Sequence, residues 1–406
     1  MSKTYDVILW GATGFTGRLV AEYLLKQYSV GKDLSWAMAG RNKAKLEKIR
    51  EELGNTDIPL VVADSHNRES LEAMVEQTKV ICTTVGPYAL YGNLLLEVCV
   101  AHSVDYCDLT GEVQWMRRTI DAHHEKAREN QVKIVHCCGF DSIPSDMGVF
   151  FLQQEAQKRW KAYADEIKFR LMGAKGGPSG GTIASLDNVA IEAQKDPQLM
   201  EEVILNPYGL NPKGEQTGKD VPDLRESAYD EDFQAWIAPF VMAVINTKVV
   251  RRSHALSNYP YGKDFRYEEA THVGSGIANR IKASITATVT DALFSPGSIL
   301  KRIIDQFLPD PGQGPSKRQR ETGFFKAILL GKSANDQTLK VKVKGDRDPG
   351  YGSTSKMLAE AAVCLAKDRE NLPQNFGVIT PSTAMGTHLL NRLQENAGVT
   401  FSVVEE

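Results

Sequence analysis

The chain lacks the features of membrane-spanning and strongly nucleic-acid-binding proteins. No stretch approaches the ~18 consecutive apolar residues of a transmembrane helix, and the first apolar run begins too early to leave room for a signal peptide. The 48 Lys and Arg residues nearly balance the 51 Asp and Glu residues, for a formal net charge of −3. Such a balance argues against nucleic-acid binding through bulk charge. These absences favour a cytoplasmic protein.

Cysteine is scarce, and its spacing fits neither a metal site nor a disulfide framework. The 406-residue chain has 6 cysteines, and none lies in a C-x-x-C pair. Most fall within apolar runs, which predicts reduced, buried thiols and no bound metal. The sequence also shows no Ser–His–Asp set. Two matches to Tyr-x-x-x-Lys lack the helical context that short-chain reductases need: Tyr28…Lys32 and Tyr259…Lys263.

A glycine-rich turn stands close to the N-terminus. The apolar run Val7–Trp10 passes directly into three glycines at spacing three, and a segment with helical spacing follows. This strand–loop–helix context is the fingerprint of a dinucleotide site, where glycines allow a tight turn, approach of the pyrophosphate and close helix packing. The helix N-terminus adds free N–H groups for the phosphates. We therefore expect this loop to bind a cofactor through Gly11, Thr13, Gly14, Phe15, Thr16 and Gly17.

The end of the second apolar run, Trp36–Ala39, indicates which dinucleotide binds. NAD sites usually carry an acidic residue here, whereas this chain has Arg41, whose planar cation suits the 2′-phosphate of NADP. Asn42 and Lys45 lie beside it in the predicted NADP site. Asp64 follows the third apolar run and has two open interpretations, an acceptor for the adenine amino group or the N-cap of the next helix.

Residues 1–147 alternate short apolar runs with amphipathic helices, which predicts a parallel sheet with right-handed crossovers. The expected fold class is α/β, a Rossmann doubly wound sheet with a second α+β domain for substrate or oligomerisation over 148–376. The C-terminal segment 377–406 is expected to pack back on the first domain. A glycine cluster, Gly176–Thr182, precedes a predicted helix. The apolar segment Trp236–Val250 is expected to be buried or to face another subunit. Contact with lipid is the second alternative.

Ligands of doubly wound sheets bind beyond the carboxyl ends of the strands, so the later strand ends supply further candidates. The fourth strand ends in residues expected beside the nicotinamide-ribose: Thr84, Val85, Gly86 and Pro87. The next two strand ends carry acidic residues, and the glycine cluster supplies a hydroxyl group. The resulting catalytic candidates are Asp141, Glu112 and Thr182. Asp141 has the alternative of a turn or N-cap residue.

Several of these motifs occur in an order and spacing that resembles the saccharopine dehydrogenase-like oxidoreductases: Trp10–Gly17, Val85–Gly92, Asp108–Glu112 and Gly139–Asp146. Later pieces resemble the trans-acting enoyl reductase branch of that family: Ser179–Thr182, Gly312–Ser316 and Thr380–Gly386. The resemblance covers nearly the whole chain. It implies an NAD(P)-binding Rossmann domain with a second α/β domain and, for the branch, reduction of unsaturated acyl or polyketide chains.

The sequence therefore favours an NADP(H)-dependent oxidoreductase of lipid metabolism, an enoyl reductase whose cofactor supplies the hydride. A saccharopine-type imine or amino-acid dehydrogenase and a non-catalytic NADP-binding scaffold are the alternatives. The expected partners are an acyl or polyketide-type substrate, free or carrier-bound, and a second copy of the chain. Peripheral contact of the protein with lipid remains an alternative, and no nucleic-acid partner is expected.

Overall fold

Two seven-stranded sheets organise the chain, one parallel and one mixed. The computed structural model describes residues 3–28, 30, 31, 33–54, 57–176, 180–294, 298, 301 and 314–405, with the backbone alone for residues 180–184 and 186. Within this part of the chain, no helix is both long and apolar enough to cross a membrane.

The first sheet is parallel throughout and is buried on both faces. Its strands are β1 Tyr5–Trp10, β2 Trp36–Gly40, β3 Leu60–Val62, β4 Thr78–Thr83, β5 Asp105–Cys107, β6 Lys133–Val135 and β13 Gly377–Ile379. The order across the sheet is β13-β6-β5-β4-β1-β2-β3. Near-continuous apolar strands such as β1 are typical of sheets that helices cover on both sides. The strand order reverses between β1 and β4, which makes their carboxyl ends the topological switch point where ligands bind.

Helices connect these strands in the alternation that the sequence predicts. They are α1 Phe15–Gln27, α2 Lys43–Glu52, α3 Arg68–Val75, α4 Tyr88–Tyr91, α5 Asn93–Ala101 and α6 Val113–Glu129. All six cysteines are free and buried, as their apolar surroundings predict.

The second sheet is mixed and lies in the later part of the chain. Its strands are β7 Glu166–Lys175, β8 Ala228–Asp230, β9 Ala235–Ala238, β10 Arg266–Gly274, β11 Phe324–Lys332, β12 Thr338–Gly345 and β14 Val399–Val403. The order is β14-β12-β11-β7-β10-β9-β8. β7 and β10 are parallel neighbours, and the other pairs are antiparallel. The α/β fold with a second sheet domain is therefore confirmed.

The remaining helices belong to this later part of the chain or return from it to the first sheet. They are α7 Ile143–Trp160, α8 Gly180–Lys195, α9 Pro197–Leu199, α10 Ala243–Leu256, α11 Ile277–Leu293, α12 Lys317–Thr322, α13 Thr354–Lys367 and α14 Pro381–Glu395. Short π-helical turns span Met200–Ile204 and Pro349–Ser353, and a 3-10 turn spans Arg369–Asn371.

The C-terminal part of the chain contributes to both sheets. β13 pairs with β6 at the edge of the first sheet, whereas β14 pairs with β12 at the edge of the second. α13 packs against α1 and β4. Tyr23 and Tyr28 of the α1 region each donate a hydrogen bond of 2.7 Å to the buried carboxylate of Glu360 on α13. The later segments thus fix the position of α1 from outside the first domain.

Candidate functional site

Two glycines of the N-terminal loop are required by the packing of the protein itself. Gly11 has φ +93°, and a Cβ there would lie 2.7 Å from Val85 Cγ2. A Cβ on Gly17 would lie 2.1 Å from the carbonyl oxygen of Gly11. A side chain at Gly11 would displace the end of β4, and a side chain at Gly17 would move α1 away from β1.

Gly14 differs, because the protein leaves the space beside it open. A Cβ built on Gly14 would meet only the Gly11 carbonyl oxygen, at an ordinary 3.4 Å, and its backbone is extended. Gly14 occupies the N-cap of α1, so no side chain bonds the first-turn N–H groups, and that turn carries no acidic residue. An exposed helix N-terminus with free amides and no acid is a ready anion site. The loop therefore fits the pyrophosphate of a dinucleotide.

The end of β4 lies directly against this loop. The backbone N–H of Thr84 donates to the Trp10 carbonyl at 3.0 Å, and its hydroxyl donates to the Gly11 carbonyl at 3.3 Å. Val85 contributes the methyl group nearest to Gly11, and Gly86 and Pro87 lead into α4 through a cis peptide bond. The structure thus places the predicted nicotinamide-side residues next to the predicted phosphate loop. Thr13 and Thr16 are half-buried within the same loop.

Arg41 is an exposed cation at the end of β2. In the part of the chain that the structure describes it forms no hydrogen bond or ion pair, and neither does the side chain of Lys45. Asn42 has a structural task, since its side chain caps α2 by accepting from the Lys45 N–H at 3.0 Å. The charge of Arg41 is therefore available to a ligand at the strand end.

Asp64 does not cap a helix. Asn67 is the N-cap of α3 and accepts from the Ser70 N–H at 2.9 Å, so the N-cap interpretation of Asp64 is wrong. One carboxylate oxygen of Asp64 accepts from the His66 N–H at 2.9 Å within a turn. A contact between Asp64 and the adenine amino group stays a prediction.

Glu112 is buried at the end of β5 and is fully engaged by the protein. Its carboxylate accepts from the N–H groups of Tyr88 and Ala89 at 2.7 and 2.9 Å, and from the Ser185 hydroxyl at 3.0 Å. Burial raises its pKa, while these donors oppose the rise. The geometry favours a positioning role, because Glu112 ties the start of α4 to α8. Its catalytic role stays a prediction.

Asp141 is the acid at these strand ends with the most unusual environment. It is 9% exposed, and no side chain among the described residues donates a hydrogen bond to it. Burial raises the pKa of Asp141 to about 7, and the charge of Asp108 adds to the rise. Cβ atoms built on Gly139 and Gly111 would lie 3.0 and 3.9 Å from its carboxylate oxygens. Ser142, and not Asp141, is the N-cap of α7.

Thr182 belongs to α8, but its side chain lies outside the described residues, as do Gly177–Ser179 of the glycine cluster. Its placement in the cleft stays a prediction. Ser185, on the same helix, does bond Glu112, so α8 meets the first domain at the end of β5. The sequence analysis did not single out Ser185, although its spacing of three from Thr182 suits one helix face.

A buried polar network behind Asp141 also escaped the sequence analysis. The Ser142 hydroxyl donates to Asn246 at 3.0 Å, and the Asn246 amide donates to Glu269 at 3.0 Å. The Tyr267 hydroxyl donates to the same carboxyl group at 2.7 Å. Burial raises the pKa of Glu269 to about 7. The network joins α7, α10 and β10, so it fixes the backbone beside Asp141 from the second domain.

Among the described residues no group of His, Cys, Asp or Glu is arranged to hold a metal ion. One pair of such residues is Asp108 and His136, whose Oδ2 and Nδ1 atoms are hydrogen-bonded at 2.8 Å. Both are buried, and the other His136 nitrogen lies 3.0 Å from the Thr119 hydroxyl. This chain of contacts is an internal support for the strand ends.

Comparison with known proteins agrees with this geometry. Residues 7–135 match the family model described as the saccharopine dehydrogenase NADP binding domain. A trans-acting enoyl reductase from Mycobacterium leprae is 33% identical over 98% of this chain and 97% of its own length. A relative from Mycobacterium tuberculosis, provisionally named a trans-acting enoyl reductase, is 37% identical over the same shares.

Among solved structures, saccharopine dehydrogenase (L-Glu forming) from Saccharomyces cerevisiae has a similar fold. Its TM-score is 0.52 at 10% identity, with 99% of this chain and 100% of that chain covered. At this identity the likeness concerns the fold alone.

We expect Gly14→Val and Gly17→Val to separate the two tasks of the loop. Gly14→Val should fold normally but raise the dissociation constant of NADPH at least about tenfold, because its methyl groups would occupy the open pyrophosphate surface. Gly17→Val should instead lower the melting temperature, since its Cβ would overlap the Gly11 carbonyl. Fluorescence titration and thermal melts of both variants give the comparison. Normal NADPH affinity in Gly14→Val would show that the pyrophosphate binds elsewhere.

A second prediction concerns the preference for NADP over NAD. Arg41→Ala should weaken NADPH binding about ten- to a hundredfold, as expected for loss of a charge-assisted contact, and should leave NADH binding nearly unchanged. Lys43→Ala is the matched control, because Lys43 is an exposed cation that already pairs with Glu47 at 3.9 Å. Equal loss of affinity for both cofactors, or equal wild-type affinities, would contradict the assignment.

The matched family model and the named relatives identify an oxidoreductase with NADP as its cofactor, and the geometry of the glycine loop agrees with this. Its relatives are 33–37% identical over nearly their whole length, and the chain belongs to the trans-acting enoyl reductases of the saccharopine dehydrogenase-like family.

Proposed function

We propose that the protein uses NADPH to reduce the activated double bond of an acyl-type substrate, with Asp141 as the proton donor. The single observation that carries the proposal is the buried carboxyl group of Asp141 at the carboxyl edge of the first sheet, to which no side chain among the described residues donates a hydrogen bond. The names of the relatives, trans-acting enoyl reductases, support the reaction class.

Reduction of an enoyl group adds a hydride to one carbon and a proton to its neighbour. The cofactor supplies the hydride when bound, so the protein must supply the proton. An Asp with an ordinary pKa near ~3.9 would be ionised at neutral pH and could not donate. With its pKa raised to about 7, Asp141 is protonated in a large fraction of molecules at that pH, which suits a general acid. The resulting carboxylate then recovers a proton from water through its exposed part.

The surroundings of Asp141 suit a hydrocarbon chain. Its neighbour Phe140 lies 4.9 Å from the Phe325 ring and 6.4 Å from the Phe240 ring, between ring centres. Ile245 of α10 approaches Gly111 so closely that a Cβ there would lie 2.9 Å from its terminal methyl group. An apolar wall both binds an acyl chain and disfavours ionisation of the acid beside it. These contacts support the proposal that part of the segment Trp236–Ile245 forms an apolar wall for the substrate.

The alternatives differ in what the cleft must bind. A saccharopine-type dehydrogenase needs charged groups for an amino-dicarboxylate, whereas Gly139, Gly111 and Phe140 beside Asp141 carry no charge. A non-catalytic scaffold gives no reason for a buried acid that lacks a side-chain donor among the described residues, whereas Glu269, whose pKa is also raised, is bonded by Asn246 and Tyr267. The apolar wall and the protonated acid together favour enoyl reduction. Thr182 is retained as a candidate contact for the substrate carbonyl.

The decisive experiment follows NADPH oxidation with α,β-unsaturated thioesters and with imines. Asp141→Asn should lower kcat about a hundredfold or more, as for loss of a general acid, while the NADPH dissociation constant stays at the wild-type value. The wild-type kcat should fall as pH rises through about 7, because only the protonated carboxyl group can donate. Asp336→Asn, the same change at an exposed acid of the second sheet's β11–β12 connection, is the control and should keep this pH profile.

The same variant has a stability readout that needs no substrate. The folded protein holds the Asp141 proton more tightly than the unfolded chain does, so this contribution is complete below pH ~4 and is lost as pH rises to about 7. Asp141→Asn avoids the loss and should gain stability relative to wild type at pH 8, by roughly 1–3 kcal/mol. Full turnover in Asp141→Asn, or reduction of imines alone, would contradict the proposed function.

We further infer that a second copy of the chain covers the outer face of α11. Ile277, Ile281, Ile285 and Val289 stand at spacing four and are 79, 58, 59 and 39% exposed. Exposed apolar stripes of this kind mark contact surfaces, and a stripe on one helix can pair with its own copy about a two-fold axis. The assembly would work in the cytoplasm, where free buried thiols such as these remain reduced.

The double change Ile281→Asp and Ile285→Asp should therefore convert a dimer to a monomer in light scattering, with unchanged NADPH affinity. The matched control is Thr286→Asp on the same exposed helix, which should leave the dimer intact. A monomeric wild type would overturn the inference. Binding of the wild type to anionic phospholipid vesicles, lost in the double variant, would assign the stripe to a lipid surface instead.

A further inference from the structure

A segment from the later part of the chain covers the first turn of α1. The ring of Phe15 lies edge-on to Tyr351 with centroids 4.7 Å apart, and the Arg320 guanidinium lies 5.4 Å from the centre of the Phe15 ring. Gly314 closes the group, since a Cβ there would lie 2.6 Å from the Phe15 ring. Phe15 directly follows Gly14. This packing therefore brings a cation to the edge of the surface that Gly14 leaves open.

Backbone contacts, and not an ion pair, hold Arg320 in place. Its Nη1 donates to the Pro315 carbonyl at 2.7 Å, and its own carbonyl accepts from the Asp348 N–H at 3.1 Å. The Asp348 carboxylate accepts from the N–H groups of Tyr351 and Gly352 at 3.1 and 2.8 Å. No carboxylate in the described part of the chain lies within ion-pair distance of Arg320. The guanidinium is thus fixed at one nitrogen, and its charge acts on the Asp348 carboxylate only from beyond ion-pair distance, where it opposes the rise in the pKa of that group.

A full positive charge would strengthen pyrophosphate binding at the glycine loop. A pyrophosphate is a full anion, whereas the amides of a helix N-terminus supply only partial positive charge. The cation nearest along the loop, Arg18, is already paired with Glu52 at 2.8 Å. A guanidinium can bond two phosphate oxygens at once, which is the geometry that favours arginine in phosphate sites.

We propose that Arg320 binds the pyrophosphate of NADP(H), so that α12 and the Pro349–Ser353 turn clamp the cofactor against the glycine loop. Phe15 and Tyr351 orient the guanidinium by packing, and Asp348 fixes the turn that carries Tyr351. The two arginines then contact different parts of the cofactor. Arg41 contacts the 2′-phosphate that only NADP carries, and Arg320 contacts the pyrophosphate that both dinucleotides share. The proposal rests on NADP binding and is independent of enoyl reduction.

The test measures dissociation constants of NADPH and NADH by fluorescence titration of the full chain. Arg320→Gln should weaken both cofactors by a similar factor, about ten- to a hundredfold for a lost charge-assisted contact. Arg41→Ala should weaken NADPH alone. Arg318→Gln is the matched control, because Arg318 is exposed on the same short helix and should leave both constants unchanged.

Three results would overturn the clamp: unchanged constants in Arg320→Gln, loss confined to NADPH, or equal losses in Arg318→Gln. If Arg320→Gln does not fold, Arg320→Lys decides the question. It keeps the charge but cannot bond two oxygens at once, so both constants should rise severalfold, and wild-type constants would overturn the clamp. Because the readout is binding, a failure here leaves the enoyl reductase proposal standing, and a failure to reduce enoyl substrates leaves the clamp standing.

Discussion

The cofactor site depends on one close backbone contact, the approach of Gly17 in α1 to the carbonyl oxygen of Gly11. A Cβ at Gly17 would lie only 2.1 Å from that oxygen, so the helix can start this near to β1 only because the residue is glycine. The contact points the first turn of α1 at the switch point between β1 and β4. The open surface at Gly14, the contacts of Thr84 and the position of Phe15 all follow from where that helix begins.

Burial is the second constraint, and it acts on acids in two different ways. Glu112 and Asp141 are both buried, and burial raises the pKa of each. Glu112 receives three hydrogen bonds from the protein, which oppose that rise and bind the group into the structure. Asp141 receives none from another side chain in the described part of the chain. The same cost of burying a charge is therefore offset by hydrogen bonds at Glu112, which has a structural role, and is left at Asp141, whose pKa is raised to about 7.

The sequence predicts the local features of this protein well, because they depend on short spacings. The glycine loop, the strand ends and the absence of an acid after β2 each lie within a few residues, and the NADP cofactor and the α/β fold are confirmed. The sequence indicates the candidates at the strand ends but not their hydrogen-bond partners. A sequence cannot show that Asn67 caps α3 while Asp64 does not, since both residues suit a cap.

Contacts between distant segments were beyond the reach of spacing arguments. Ser142, Asn246 and Glu269 are joined by hydrogen bonds across more than a hundred residues of chain, and no periodicity connects them. The same holds for Glu360 with Tyr23 and Tyr28, and for Arg320 with Phe15. Such pairs form only when the second sheet and the returning helices pack against the first domain.

The cofactor surface and the proposed substrate wall are built from different kinds of groups, so one can be kept while the other changes. The pyrophosphate surface is built from backbone and glycine, which tolerate little change, as the overlap at Gly17 shows. The wall beside Asp141 is built from side chains such as Ile245 and Phe140, which can change size without moving the glycine loop. Under the proposed function, substrate preference could therefore diverge through α10 while the first domain remains fixed. An apolar wall that excludes water would keep the pKa of Asp141 raised in each case.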